Sequence, residues 1–185
     1  MRRAILVMAP VVLSASLSAQ GVFSNKTQVI LEKVIQDYPN HFYHLRGERI
    51  GQAVQSVRYR STIQLPGSAS STVTVGSAGP EGSDWSCTIV ETTDFKAARA
   101  RYSEIYAQLS NSIISTDGQK TFILSGEYET PAEDRKYTQV SFSLLPAVGQ
   151  MKRVRVELTL DQEDKDWVLR IRVTDNDLRI YTTSR

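Results

Sequence analysis

The chain has few of the residues on which covalent and metal chemistry depend. Its 185 residues include one cysteine, Cys87, and two histidines, His41 and His44. A single cysteine excludes a disulfide within the chain, so a packed core must stabilise the fold. The histidines stand three residues apart and could share one face of a helix. No acid or cysteine at a matching spacing completes a ligand set, so we predict two surface histidines and no metal site.

The sequence signatures of the common enzyme classes are also missing. There is no Gly-x-Ser-x-Gly motif, phosphate-cradling glycine loop, zinc signature or dinucleotide fingerprint. Cys87 lies in a strand pattern on the same side as Trp85 and Ile89, which favours a small buried residue over a nucleophile. The acidic run 161–166 contains Lys165 and lacks the central glycine of a calcium-binding loop. We therefore expect no catalytic residue, no cofactor and no bound metal.

Residues 1–19 predict a secretory signal peptide. Arg2 and Arg3 form a charged start, residues 4–17 are largely apolar, and small residues around Ala19 suit cleavage. The apolar stretch is shorter than the ~20 residues of a membrane-spanning helix. We expect a periplasmic or extracellular protein with no transmembrane segment in the mature chain, which would be a single domain over residues 20–185.

The net charge of the mature chain indicates which classes of partner it favours. Without Arg2 and Arg3, 20 basic and 20 acidic residues remain. A neutral chain argues against nucleic acid as a partner, because affinity for nucleic acid depends on neutralising phosphates. It also argues against general attraction to a membrane surface, so any basic patch must be local.

The strongest structural pattern is the alternation of apolar and polar residues between positions 152 and 175. Apolar residues recur at every second position from Val154 to Leu160 and again from Trp167 to Val173, on either side of the polar run 161–166. This pattern predicts a β-hairpin with one buried face that holds eight apolar residues.

The other face of this hairpin would carry four arginines. These are Arg153, Arg155, Arg170 and Arg172. A register that pairs Glu157 with Arg172 avoids two arginines directly opposite one another, and we prefer it for that reason. The arginines form either a solvated, salt-bridged face or an anionic contact face for a carboxylate-rich polymer or an acidic partner protein.

Helical periodicity occurs twice, and each helix is followed by strand patterns. The first helix begins at Ser24 or Asn25, with an apolar stripe of Ile30, Val34 and Tyr38, and its continuation ends at Gly47. The second covers residues 95–113 behind a cap at Thr93 or Asp94. The predicted order is one helix, three strands, one helix and four strands. We predict an α+β fold with two helices on one face of an antiparallel sheet.

The two halves of the chain echo each other. The stretch that begins at Trp85 resembles the one that begins at Trp167, and each follows a Leu-Pro pair, Leu65-Pro66 or Leu145-Pro146. We predict two diverged repeats of a helix-then-strands unit, at about 24–93 and 94–176, within one domain.

Several of these motifs together resemble a known family. The pattern Phe42-x-x-Leu45-x-Gly47, Leu65-Pro66-Gly67, Trp85-x-Cys87 and a tyrosine-containing helix is similar to a family of small exported bacterial proteins. That family has no assigned activity, so the resemblance implies export and fold but no function. Some members carry a second cysteine just after the Leu-Pro-Gly turn, where this chain has Ser70, Ser71 and Thr72.

Three functions are compatible with the sequence. The first is an exported, non-enzymatic binding or interaction protein with an unknown protein or anionic surface component as its partner. The alternative is a carrier of small apolar ligands, with a pocket between the helices and the sheet lined by aromatics such as Tyr102 and Phe142. The third is a hydrolase with an unusual site. A solid core with an exposed sheet would favour the interaction protein, and converging titratable groups would favour the hydrolase.

Overall fold

The protein is described by a computed structural model, which places residues 25–76, 79, 82–116 and 120–176. The predicted signal peptide lies outside the described residues. Within these ranges, one antiparallel sheet of nine strands and two α-helices confirm the α+β class. The helices are α1 (Asn25–Gln36) and α2 (Phe95–Ser110). The strands are β1 (Arg46–Ala53), β2 (Ser56–Ser61), β3 (Ser70–Gly76), β4 (Asp84–Thr92), β5 (Ile113–Thr116), β6 (Lys120–Ser125), β7 (Tyr137–Leu145), β8 (Val154–Glu163) and β9 (Asp166–Asp175).

The last strand of the chain lies in the middle of the sheet. The strand order is β1-β2-β3-β4-β9-β8-β7-β6-β5, so each half of the chain forms a meander and the halves meet where β4 pairs with β9. The first half supplies α1 and four strands, and the second supplies α2 and five. Each half has one strand more than the sequence predicted.

The C-terminal hairpin has the register that the sequence favoured. Glu157 pairs with Arg172, and Leu158 pairs with Ile171. The strands run further than expected, so the turn contains only Asp164 and Lys165 rather than all of 161–166. Asp164 has φ of 54°, in the left-handed region that two-residue hairpin turns require.

The apolar sides of the strands and the helices form one core. All eight apolar residues predicted for the inner face of the hairpin are buried, and so are Trp85 and Cys87 on β4. The same cluster includes buried side chains from both helices, so both helices pack on this side of the sheet.

The two helices differ from their predicted forms in different ways. On α1, the fully buried residues are Leu31, Val34 and Ile35, whereas Ile30 is only half-buried, so the predicted stripe was out of phase. Asp94 caps α2 by accepting hydrogen bonds from the backbone N–H groups of residues 96 and 97. The helix ends at Ser110, and the prediction that it reaches Ile113 was wrong.

The two unpredicted strands are the two edges of the sheet. Strand β1 contains Gly47, which was expected to end a helix. A Cβ at this position would lie 3.0 Å from the carbonyl oxygen of Arg60, a tight contact that favours glycine where β1 pairs with β2. Strand β5 follows α2 after two residues. Ile114 is buried in it, whereas Ile113 is half exposed.

Helix α1 hydrogen-bonds to the free edge of β5. The amide nitrogens of Gln28 and Gln36 donate to the carbonyl oxygens of Ile113 and Ser115, at 2.7 and 2.9 Å. A carboxylate oxygen of Glu32 accepts from the backbone N–H of Ser115 at 3.2 Å. The three side chains are spaced four residues apart on one face of the helix. They occupy the groups that a tenth strand would use, and we call them the edge clasp.

A group of tyrosines packs where α2 meets the segment after β6. The Tyr106 ring lies 4.7 Å from the Tyr128 ring and 5.5 Å from Phe142, between ring centroids. Tyr106 donates its hydroxyl hydrogen to the carbonyl oxygen of Gly126 at 3.0 Å. The hydroxyl of Tyr102 is buried and has no hydrogen-bond partner in the described part of the chain, and burial raises the pKa of this phenol.

These two tyrosines predict opposite responses to loss of the hydroxyl. We expect Tyr102→Phe to leave the free energy of unfolding unchanged or to raise it, because the lost group is unsatisfied in the core. Tyr106→Phe should lower the free energy of unfolding by about 1 kcal/mol, since it removes the hydrogen bond to the carbonyl oxygen of Gly126. Tyr102→Ala should cost about 3–5 kcal/mol through lost burial and a cavity. Denaturant unfolding measures all three, and a larger cost for Tyr102→Phe than for Tyr106→Phe would contradict the assignment.

Opening the edge clasp should make the protein self-associate. The triple variant Gln28→Ala, Glu32→Ala, Gln36→Ala frees the edge of β5, beside the exposed side chains of Ile113 and Ile123. Free apolar edges template strand pairing between molecules. Light scattering coupled to size exclusion should show larger species. The control, Glu104→Ala with Gln108→Ala on α2, should remain like the parent, and a triple variant that also does so would refute the role of the clasp.

Candidate binding face

The side of the sheet opposite the two helices carries the polar residues of the alternating strands. We call it the open face. On β9 it bears Arg170 and Arg172, because Leu169, Ile171 and Val173 point to the core. On β8 it bears Arg155 and Glu157, which pair with Thr174 and Arg172 respectively. Three of the four arginines predicted for an anionic contact face therefore do lie together.

Arg153 is not among them. It belongs to a 3-10 turn, Gly149–Arg153, that precedes β8. A guanidinium nitrogen of Arg153 lies 3.0 Å from a carboxylate oxygen of Asp175. The same carboxylate accepts a 2.5 Å hydrogen bond from the Tyr38 hydroxyl. Asp175 pairs with Val154, which faces the core. Arg153 therefore ties the turn before β8 to the end of β9 and takes no part in the open face.

Arg155, Arg170 and Arg172 have partners within the chain. Arg155 donates to the carbonyl oxygens of residues 152 and 154, both at 2.9 Å. Arg170 forms a two-pronged pair with Glu163, at 2.5 and 2.8 Å, which raises the pKa of Arg170 and lowers that of Glu163. These bonds reduce the capacity of the predicted arginines for an external anion.

The pair between Arg172 and Asp84 is the most buried of these contacts. A guanidinium nitrogen of Arg172 lies 3.0 Å from a carboxylate oxygen of Asp84. Burial raises the pKa of Asp84 despite the opposing effect of Arg172. Burial alone would lower the pKa of Arg172, but the Asp84 carboxylate keeps it above its ordinary value. The pair joins β4 to β9 on the open face at the junction of the two halves.

A second pair of arginines occupies the open face on β2. Arg58 and Arg60 flank Tyr59, which packs against the core, so their side chains are on the open side. Both are exposed, and neither has an ion-pair partner among the described residues. The alternation in residues 57–65 predicts that they share one face of a strand, but it does not relate that face to the C-terminal hairpin. Only the sheet order shows that the two arginine pairs share a surface.

Short hydroxyl side chains lie between the two arginine pairs. Arg60 pairs with Thr72, Thr72 pairs with Ser86, and Ser86 pairs with Arg172, so one row crosses four strands. We call the hydroxyl residues of β3 and β4 on this face the hydroxyl strip: Ser70, Thr72, Thr74, Ser86 and Thr88. From β2 to β9 there are three strand spacings, about 14 Å. Arginines border the strip on both sides, and because their side chains are longer than those of serine and threonine, we call the strip with its two borders the trough.

The two histidines and the cysteine make contacts that are typical of structural residues. His44 Nδ1 lies 2.6 Å from Asp37, which also accepts from the backbone N–H of His44 and from the Asn40 amide. His41 lies in the left-handed region between two 3-10 turns, so the two histidines do not share a helix as supposed. Cys87 is fully buried as predicted, and burial raises the pKa of its thiol, which disfavours the reactive thiolate.

The aromatic side chains between the helices and the sheet pack in the core. Tyr102 and Phe142, which were expected to line a ligand pocket, are both fully buried in the core cluster. A cleft of about 310 Å³ lies elsewhere, at the end of the sheet where α1 and β6 meet the turn before β8. Within the described ranges, no group of three or more metal-ligating side chains comes together, and no helix has the length and apolar character to cross a membrane.

Comparisons with protein-family models, with curated proteins and with solved structures found no match to this chain. The resemblance to a family of exported bacterial proteins therefore stays a prediction. The function has to be inferred from the residues and their geometry.

The buried carboxyl of Asp84 predicts a pH-dependent response to mutation. Its pKa is raised in the folded state, so its contribution to stability is present below the unfolded pKa of ~4 and is lost as pH rises through the folded pKa. We expect Asp84→Asn to be as stable as the parent or more stable at pH 7, and to lose any advantage in acid below pH ~4.

The matched variant removes the other partner. Arg172→Gln leaves the Asp84 carboxylate buried without a countercharge, which should cost about 3 kcal/mol at pH 7. Urea unfolding at the two pH values measures both variants. If the Asp84→Asn variant were markedly less stable than the parent at pH 7, this would contradict the raised pKa of Asp84.

Proposed function

We propose that the protein is an exported, non-enzymatic binding protein whose open face binds a linear, carboxylate-bearing polysaccharide. The observation that carries the proposal is the trough of the hydroxyl strip between Arg58 and Arg60 on one side and Arg170 and Arg172 on the other. The complete burial of Tyr102 and Phe142 in the core cluster supports an interaction surface over an internal pocket lined by these aromatics. The signal-peptide pattern in residues 1–19 supports export.

The arginines favour carboxylates as the charged groups of the ligand. A guanidinium presents paired N–H donors in a fixed plane that match the two oxygens of a carboxylate. Arg58 and Arg60 have these donors available, since no described acid pairs with them. Arg170 and Arg172 are already paired with Glu163 and Asp84, so they border the trough and contribute less.

The hydroxyl strip favours a sugar chain over an acidic peptide. Serine and threonine hydroxyls both donate and accept hydrogen bonds, as the hydroxyls of a uronic acid residue do. The strip runs along β3 and β4, so a linear polymer that follows the strands meets hydroxyls along its length and arginines beside it. An acidic polypeptide carries its carboxylates on flexible side chains and has no hydroxyls of its own, so it offers the strip fewer groups that both donate and accept hydrogen bonds.

Binding of polygalacturonate tests the proposal. We expect the full chain to bind it in isothermal titration calorimetry at low ionic strength, and to bind neutral dextran and poly-L-glutamate at least tenfold more weakly. Affinity should fall as salt is added, because exposed charges are screened. Equal affinity for poly-L-glutamate would refute the sugar, and no binding of polygalacturonate would refute the whole proposal.

Variants locate the binding to the trough. Arg58→Gln with Arg60→Gln should weaken polygalacturonate binding about tenfold or more, which corresponds to about 1.4 kcal/mol. The control, Lys96→Gln with Arg99→Gln, removes the same charge from exposed positions of α2 on the other side of the sheet. It should change the affinity less than twofold. Similar losses in both double variants would mean that net charge, and not the trough, determines binding.

A further inference from the structure

A second candidate site lies at the end of the sheet, apart from the open face. It is the cleft of about 310 Å³, to which the end of α1, the start of β6 and the connection from β7 to β8 contribute walls. This volume falls at the lower end of the range for small-molecule pockets. A ligand that fits must therefore be small.

The lower walls of the cleft are apolar. Phe122 is almost completely buried and Met151 packs half-buried against the core. Pro39 and Val148 complete the apolar lining, and 43% of Val148 is exposed. At the neighbouring Gly149, φ is +56° and no atom lies within 4 Å of the place where a Cβ would be. The cleft thus offers water-accessible apolar surface that no described side chain fills.

The rim of the cleft is polar and carries one cation. Lys120 lines it, is exposed, and has no ion-pair partner in the described ranges. Gln36 also lines it, and its amide nitrogen is held by the 2.9 Å hydrogen bond to the carbonyl oxygen of Ser115. Among the described residues that line the cleft, none is acidic. A single ammonium group beside an apolar floor matches one negative charge on a short apolar ligand.

We propose that this cleft binds a small monocarboxylate with a short aliphatic chain. The chain would lie on Phe122, Met151 and Val148, and the carboxylate would accept hydrogen bonds from the Lys120 ammonium at the rim. A dianion such as a phosphate monoester would leave one charge without a partner, because Lys120 is the one cation among the described residues of the rim. The site differs in place and ligand from the trough on the open face and does not depend on the function proposed there.

Octanoate is the probe, and 1-octanol is its uncharged counterpart. We expect octanoate to bind the full chain in titrations followed by NMR, with the largest shifts in residues that line the cleft, and 1-octanol to bind more weakly. Lys120→Gln should weaken octanoate binding about tenfold and leave 1-octanol binding unchanged, because only the charge contact is lost. The control Lys165→Gln, at the tip of the β8–β9 hairpin, should have no effect on either ligand.

A second variant blocks the cleft without removing a charge. Val148→Trp places a larger side chain at a position that is exposed, so we expect the fold to persist and the binding of both probes to fall about tenfold. Polygalacturonate binding should be unchanged in this variant, which separates the cleft from the trough. The absence of octanoate binding at millimolar concentration, shifts outside the cleft, or equal octanoate affinity in Lys120→Gln would each overturn the proposal.

Discussion

The fold depends on β9 being buried on its inner face between β4 and β8. The two halves of the chain form separate meanders, and the β4–β9 pairing joins them into one sheet. Trp85 and Trp167 are both buried on the helix side of this junction, under the core residues of α2. The Asp84–Arg172 pair spans the same junction on the other side. A defect in β9 would therefore separate two half-sheets that each have too little core to be stable alone.

The sequence predicted a strand correctly where one face of the strand is buried and the other is exposed, and it failed where burial does not alternate. Strands β8 and β9 alternate clearly because one face is buried, and this also determined their register. Strand β1 is exposed or half-buried along its whole length, so its residues show no alternation. Strand β5 is short, and Ile113 follows Leu109 by four residues, which extends the helical period of α2 past its true end. The phase of α1 was misjudged because its polar stripe contacts β5 and does not face only water.

The sequence predicted only those residues of the candidate binding face that alternate within one hairpin. Local alternation placed Arg155, Arg170 and Arg172 on one face, and pairing of Glu157 with Arg172 followed from charge alone. Arg153 could not be placed, because its partner Asp175 lies at the end of a strand where the chain leaves the sheet. Arg58 and Arg60 lie far from the hairpin in sequence, and no local pattern reveals that β2 and β9 are three strands apart in one sheet.

The edge clasp also matters for the order in which the elements of the chain are synthesised. Its hydrogen bonds join positions that are 79 to 85 residues apart, and the helix always comes first. The side chains that cover the edge strand β5 are therefore already present when the strand itself is synthesised. In the reverse order, with the helix at the other end of the chain, the same fold would expose this edge during every round of synthesis.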